Sequence, residues 1–265
     1  TIDHGWMIRF LEHRIGDRRV ITCIQRWLQA GVLEDGELRD VEQGTPQGGS
    51  VSPLLANIYL HYALDLWAEQ WQRRHANGDM LIVRYADDFL IGFEKDGDAR
   101  RFRAELEERL RQFGLELHPE KTRLLEFGRY AAERRKKRGD RKPETFDFLG
   151  FTHICAQERA GQFRLLRETS RKKQRTKLAD LREEIRRRTA LDHRAVGPWL
   201  KSVLRGYDQY YGVQWNDAAL KRMRRGILHL WHKALNRLSQ RAHTTWARML
   251  RLAKVWLPAP RIVRR

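Results

Sequence analysis

Cysteine is nearly missing from this chain: two in 265 residues, Cys23 and Cys155, neither with a second cysteine near it. That excludes a disulfide framework and a zinc site built on paired cysteines, and it fits a reducing, cytoplasmic setting. No stretch approaches the roughly 18 unbroken apolar residues of a membrane-spanning helix, so no membrane partner is expected. Asp3, Arg9, Glu12 and Arg14 interrupt the first residues, which argues against a secretory signal there. Acidic residues are scarce in one half only. Residues 128–265 hold 12 Asp and Glu against 36 Lys and Arg, whereas residues 1–127 hold 22 against 17. A half with so large an excess of cations repels itself unless a polyanion is present. Nucleic acid is the expected partner, ahead of an anionic membrane surface.

What is present is enough for a real core: 41% hydrophobic residues, sufficient for one large or two small domains. Helical spacing of Trp6, Phe10, Leu11 and Ile15, and again from Val20 to Leu28, predicts two short helices. Gly44, Pro46, Gly48 and Gly49 mark a tight loop, and Ser50 or Ser52 is placed to cap the helix that follows, which has Pro53 in its first turn and runs to about Gln72. A glycine-rich loop at a helix start offers backbone N–H groups to anions, but such turns are more often structural. Residues 98–113 form an amphipathic helix with Phe102, Leu106 and Leu110 on one face. Residues 115–119 and 122–127 read as strands on either side of Lys121, and 128–145 as an exposed basic loop. Residues 146–151 open a hairpin whose partner strand is 162–166. From Ser170 onward the chain reads as basic helices, with Gly197-Pro198 and Gly212 as separators and Asn216 as an N-cap. The fold class is therefore α+β followed by an all-α basic bundle.

The centre of this pattern is Tyr85-Ala86-Asp87-Asp88. Leu81, Ile82 and Val83 lead in, and Phe89, Leu90, Ile91 and Phe93 lead out, which predicts two strands folded back at a tight turn with two acids at its tip. Adjacent carboxylates repel each other, and a divalent cation removes that repulsion. The chemistry suggested is a Mg²⁺ site for phosphoryl or nucleotidyl transfer. Turn propensity of Asp in a hairpin is the plain alternative.

Four blocks occur in one order: residues 45–59 (TPQGGSVSPLLANIY), 84–89 (RYADDF), 114–122 (GLELHPEKT) and 146–151 (FDFLGF). With the later runs 206–212 (GYDQYYG) and 235–241 (LNRLSQR), they resemble group II intron reverse transcriptases, also called maturases. The resemblance implies a right-hand polymerase palm, an antiparallel sheet with helices, over residues 1–168, and a helical thumb over 169–265. It implies that Asp87 and Asp88 hold two catalytic Mg²⁺ ions, with Mn²⁺ a possible substitute. Pro46, Gln47, Gly48, Tyr85, Ala86 and Lys121 would line the nucleotide and template pocket. Phe148, Leu149 and Gly150 would grip the primer. Arg171, Lys172, Lys173, Arg175, Arg222, Arg224 and Arg225 would follow the nucleic-acid backbone.

The implied partners are intron RNA, an RNA template with a DNA primer, deoxynucleoside triphosphates, and a fingers segment upstream, in a bacterial cytoplasm. By the family's register the first metal-binding Asp lies before Thr1, and Asp3 is not its equivalent. The implied function is RNA-directed DNA synthesis by a mobile element, together with RNA splicing and retrohoming. An RNA-binding maturase without polymerase activity is the alternative from another class. A related bacterial lineage (retron, diversity-generating or CRISPR-associated) is the alternative within polymerases. Tyr207, Tyr210 and Tyr211 are expected to pack between helices rather than to stack on bases.

Overall fold

The computed structural model describes residues 2–29, 32–34, 37–39, 51–140, 142–158, 161–238 and 243–264. Pro46, Gln47 and Gly48, with the rest of the glycine-rich loop, lie outside the described residues. The chain divides into two compact units, Thr1–Leu124 and Leu125–Arg265.

In the first unit, α1 (His4–Glu12) starts at Asp3, whose carboxylate accepts the Trp6 N–H at 2.8 Å. Helix α2 (Arg18–Gln29) buries Ile21, Ile24 and Leu28, as their spacing requires. A short antiparallel pair follows, β1 (Val32–Glu34) with β2 (Glu37–Arg39). The helix expected from residue 52 is present but not uniform. It comprises α3 (Ser52–Leu60), a π-helical turn (His61–Asp65) and α4 (Leu66–His75).

The π turn marks a change of core. Leu55, Tyr59 and Ala63 pack with α1 and α2, whereas Leu64, Ala68 and Trp71 pack with the following hairpin and helix. The buried stripe must shift by one residue between 63 and 64, and a single wide turn supplies that shift. Arg109 seals it, donating from Nε to the Ala63 carbonyl (3.2 Å) and from a terminal nitrogen to that of Tyr62 (3.3 Å).

Strands β3 (Met80–Tyr85) and β4 (Asp88–Phe93) pair antiparallel from Met80↔Phe93 to Tyr85↔Asp88. Met80 is buried, and Ile82, Phe89, Ile91 and Phe93 pack against α4 and α5 (Asp96–Arg111), which buries Phe102, Leu106 and Leu110 as expected. Buried Asp98 ties down the approach to β3. Its carboxylate accepts the N–H groups of Asn77 (2.7 Å) and Gly78 (3.2 Å) and the Asn77 side-chain amide (2.8 Å), and these bonds lower its pKa.

The strands expected at 115–119 and 122–127 do not form. The segment is irregular, with a turn in which the His118 carbonyl accepts the N–H groups of Lys121 and Thr122. Leu115 and Leu117 alternate because both pack onto the core, so a period of two arose without a ladder.

The second unit starts with the basic segment, part of which is helical as α6 (Ala131–Lys137). An antiparallel sheet follows in the order β5 (Phe146–Phe148), β6 (Phe151–Gln157), β7 (Phe163–Thr169). Four helices complete it: α7 (Arg171–Asp192), α8 (Val196–Tyr211), α9 (Asp217–Leu235) and α10 (Trp246–Trp256). Their core includes Ile185, Leu200, Met223, Ile227, Met249 and Leu257, each 0–1% exposed. Gly226 lets α7 approach α9, since a β-carbon there would lie 2.9 Å from Leu178. Gly197-Pro198 falls inside the first turn of α8 rather than between helices, where proline's missing N–H is harmless.

The expected palm boundary at residue 168 thus falls within the second unit. The β5–β7 sheet is bonded to the helices through Asn216, which is 1% exposed. Asn216 accepts the Thr169 N–H at 3.0 Å and donates to the Thr169 hydroxyl and the Tyr211 carbonyl, each at 2.8 Å. It stands at the N-cap position of α9, but its side chain makes no cap bond there. Among the described residues, no helix is long and apolar enough to cross a membrane.

Candidate active site and nucleic-acid face

The β3–β4 pairing leaves Ala86 and Asp87 as a two-residue loop. Such loops need a positive φ, and glycine usually supplies it. Here Ala86 does, at φ 53°, a conformation that costs an L-residue about 1 kcal/mol. Tyr85, Asp87 and Asp88 are exposed, and the two carboxylates have no hydrogen-bond or ion-pair partner among the described residues. They are adjacent, oxygen-only ligands of the kind a hard divalent cation takes, so they fit part of a Mg²⁺ coordination shell. Among the described residues no group of three His, Cys, Asp or Glu side chains could hold a metal.

What sequence reasoning missed is the support beneath this turn. Arg84 on β3 forks onto Asp65, with Nε to Oδ1 at 2.8 Å and Nη2 to Oδ2 at 2.6 Å. Its Nη1 donates to Asn57 Oδ1 (2.7 Å) and to the Ala86 carbonyl (2.9 Å). The Arg84 side chain is 14% exposed. A signal was available: an arginine inside an apolar strand requires an acid nearby.

The second unit contains a comparable turn. Phe148 pairs with Phe151, so Leu149 (φ 48°) and Gly150 (φ 78°) form a two-residue loop with both residues left-handed, a type I′ arrangement. The Tyr210 hydroxyl donates to the Leu149 carbonyl at 3.0 Å, and its ring stacks on Phe151 at 5.9 Å. The Gly150 carbonyl accepts the Ser170 N–H, and a β-carbon at Gly150 would meet the Tyr211 hydroxyl at 2.8 Å. Asp147 ties both ends, accepting from Thr152 (2.5 Å) and Ser170 (2.8 Å). Phe148, Leu149 and Gly150 are half-buried. Tyr207 is buried in the helical core and Tyr211 packs on Phe151, whereas Tyr210, 48% exposed, is not enclosed between helices; burial raises the hydroxyl pKa of Tyr207 and Tyr211.

The predicted cationic residues fall into two groups. Arg171, Lys172, Lys173 and Arg175 are exposed in the opening turns of α7, and no acid lies in its first turn. Cations at a helix N-terminus oppose the helix dipole, so they do not serve the helix itself. Further along α7 the arginines have an acid beside them: Arg187 and Arg188 share Glu184, whose pKa they lower to about 2. On α9, Arg225 is exposed, and its neighbours make contacts of their own. Arg222 lies 3.9 Å from Glu168, and Arg224 Nε donates to the carbonyls of Leu257 and Pro258, each at 3.1 Å. Arg224 is therefore a clamp on the end of α10. Lys121 is exposed at its turn in the first unit, its side chain making no bond among the described residues.

Residues 1–153 match the family described as reverse transcriptase (RNA-dependent DNA polymerase). The chain is 28% identical to Protein YkfC of Escherichia coli (strain K12) over 214 residues, covering 68% of this chain and 51% of that protein. It is 47% identical over 61 residues to the group II intron-encoded protein LtrA of Lactococcus lactis subsp. cremoris, 23% of this chain and 10% of LtrA. A putative COX1/OXI3 intron 1 protein of Saccharomyces cerevisiae is 26% identical over 170 residues, 46% of this chain and 20% of that protein. The matched region thus spans about half of YkfC and smaller shares of the other two.

Proposed function

The chain belongs to the reverse transcriptase family, and on that premise we propose that it is the palm and helical C-terminal part of a group II intron-encoded enzyme. That enzyme copies RNA into DNA by two-metal nucleotidyl transfer and assists the splicing and retrohoming of its intron in a bacterial cytoplasm. The single observation that carries the reading is the exposed acid pair at the tip of a strained, internally supported turn.

Asp87 and Asp88 would hold the metal ions. Mg²⁺, when bound, acidifies the primer 3′-hydroxyl and offsets charge on the departing pyrophosphate. Exposed Tyr85 and half-buried Ala86 would lie beneath the primer terminus, and Lys121 would counter phosphate charge. Pro46, Gln47 and Gly48 would border the nucleotide and its templating base. The Phe148–Gly150 turn would grip the primer. Arg171, Lys172, Lys173, Arg175 and Arg225 would contact the phosphate backbone, and the unfavourable placement of the α7 cations against their own helix dipole supports this.

The second reading, an RNA-binding maturase without synthesis, draws on the exposed cations that open α7, which an RNA binder uses as much as a polymerase does. Primer extension on an RNA template with Mg²⁺, with the upstream fingers segment supplied, separates the two. Synthesis that is lost in Asp87→Ala supports the polymerase. Salt-sensitive RNA binding without any synthesis supports the maturase.

A further inference from the structure

We infer that Arg84 is the positioning residue of the Asp87–Asp88 turn, fixing the acid pair through the Ala86 carbonyl while Asp65 and Asn57 fix Arg84. The inference rests on reading Asp87 and Asp88 as metal ligands.

Ala86 sits in a conformation that an L-residue avoids, so the turn needs an external hold to stay in one shape. Arg84 Nη1 supplies it at 2.9 Å from the Ala86 oxygen, one residue from Asp87. A guanidinium is planar and rigid, and here it is gripped on both edges. Both oxygens of Asp65 take one edge, and Asn57 Oδ1 shares Nη1. Asn57 is itself anchored, donating from Nδ2 to the Pro53 carbonyl at 2.9 Å. Asp65 is the last residue of the π turn, and that turn is held by Arg109 from α5. A stiff path therefore runs from the helical core to the turn.

A plain strand–helix ion pair would need only the Asp65 fork. The contact with the Ala86 carbonyl adds nothing to that pairing, and it acts at the one strained residue of the loop.

Electrostatics and positioning predict opposite signs, which makes the inference testable on this chain. Removing a cation beside a metal site strengthens metal binding if charge alone matters. Removing a positioning contact weakens it, by about tenfold where outer-shell partners of metal ligands are lost. Mn²⁺ is the probe, its affinity read by electron paramagnetic resonance of the free ion, with thermal melting of each variant alongside. We expect Asp88→Asn to abolish the competent site, Arg84→Met to bind Mn²⁺ about tenfold more weakly, and Arg84→Lys to resemble Arg84→Met although it keeps the charge. Asn57→Ala, which leaves the Asp65 fork whole, should weaken binding by a smaller factor and covers the case in which Arg84→Met does not fold. Mn²⁺ affinity unchanged or tighter in Arg84→Met, or unchanged in Asn57→Ala when Arg84→Met does not fold, overturns the inference while leaving the metal site standing. Mn²⁺ binding that is absent from the unaltered chain, or indifferent to Asp88→Asn, overturns the metal-site reading, and the inference falls with it.

Discussion

Ala86 at φ 53° and Leu149 at φ 48° are both non-glycine residues in left-handed backbone, each in a two-residue hairpin loop of its own unit. In each case a side chain from the supporting structure donates to the carbonyl of the strained residue. At Ala86 the donor is a guanidinium locked to an acid, and at Leu149 it is the hydroxyl of Tyr210, whose ring also stacks on Phe151. The difference follows from what each loop presents. The first presents two carboxylates, so a cation in its support is electrostatically welcome and its geometry is rigid. The second presents an apolar turn, so aromatic packing with one polar contact suffices. One turn is built to hold charge in place, the other to hold shape.

The largest expected effect breaks the comparison at its chemical end. Asp87→Asn or Asp88→Asn should reduce primer extension on the order of a thousandfold while the melting temperature stays near that of the parent. Gly150→Ala should destabilise the second unit by about 2 kcal/mol, since it adds a β-carbon both at positive φ and against Tyr211. Denaturant unfolding measures that. Tyr210→Phe keeps the ring stack and removes the hydroxyl, for an expected loss of about 1 kcal/mol in the same titration. Ala86→Gly should do the opposite of Gly150→Ala, stabilising the first unit by about 0.5 kcal/mol as the left-handed strain is relieved.

The smallest effect concerns Asp208, which shares α8 with the bracing tyrosines. Burial raises its pKa above the ordinary 3.8, although the Arg261 N–H donates to it. A raised acid is held protonated more tightly folded than unfolded, so its contribution is present at low pH and falls away as pH rises from about 3.8 through the folded value. Asp208→Asn should therefore flatten the decline in stability as pH rises above about 3.8. An unchanged pH profile would show that Asp208 is not the group responsible.

The β3–β4 hairpin, the acid pair and the α5 stripe were legible because each rests on local periodicity or turn chemistry. Leu115 and Leu117 were misread because period-two burial looks the same with or without a ladder partner. The π turn was not legible. A one-residue shift in a buried stripe is invisible when most helix positions are apolar, as between Leu54 and Leu66. The Arg84 contact set was legible only in part: an arginine in an apolar strand calls for an acid, but its partners Asp65 and Asn57 lie 19 and 27 residues away in sequence. Composition correctly assigned the cations to the second half but could not separate Arg171 and Lys172, which face solvent, from Arg224, which clamps the backbone of α10's end.

The most direct test is single-turnover primer extension on an RNA template, with rate and primer–template affinity measured separately for Asp88→Asn and Phe148→Ala. Asp88→Asn should collapse the rate with affinity nearly intact, and Phe148→Ala should weaken affinity with a largely preserved rate at saturation. Equal losses of both quantities in both variants would contradict this, because the two turns would then not divide chemistry from grip.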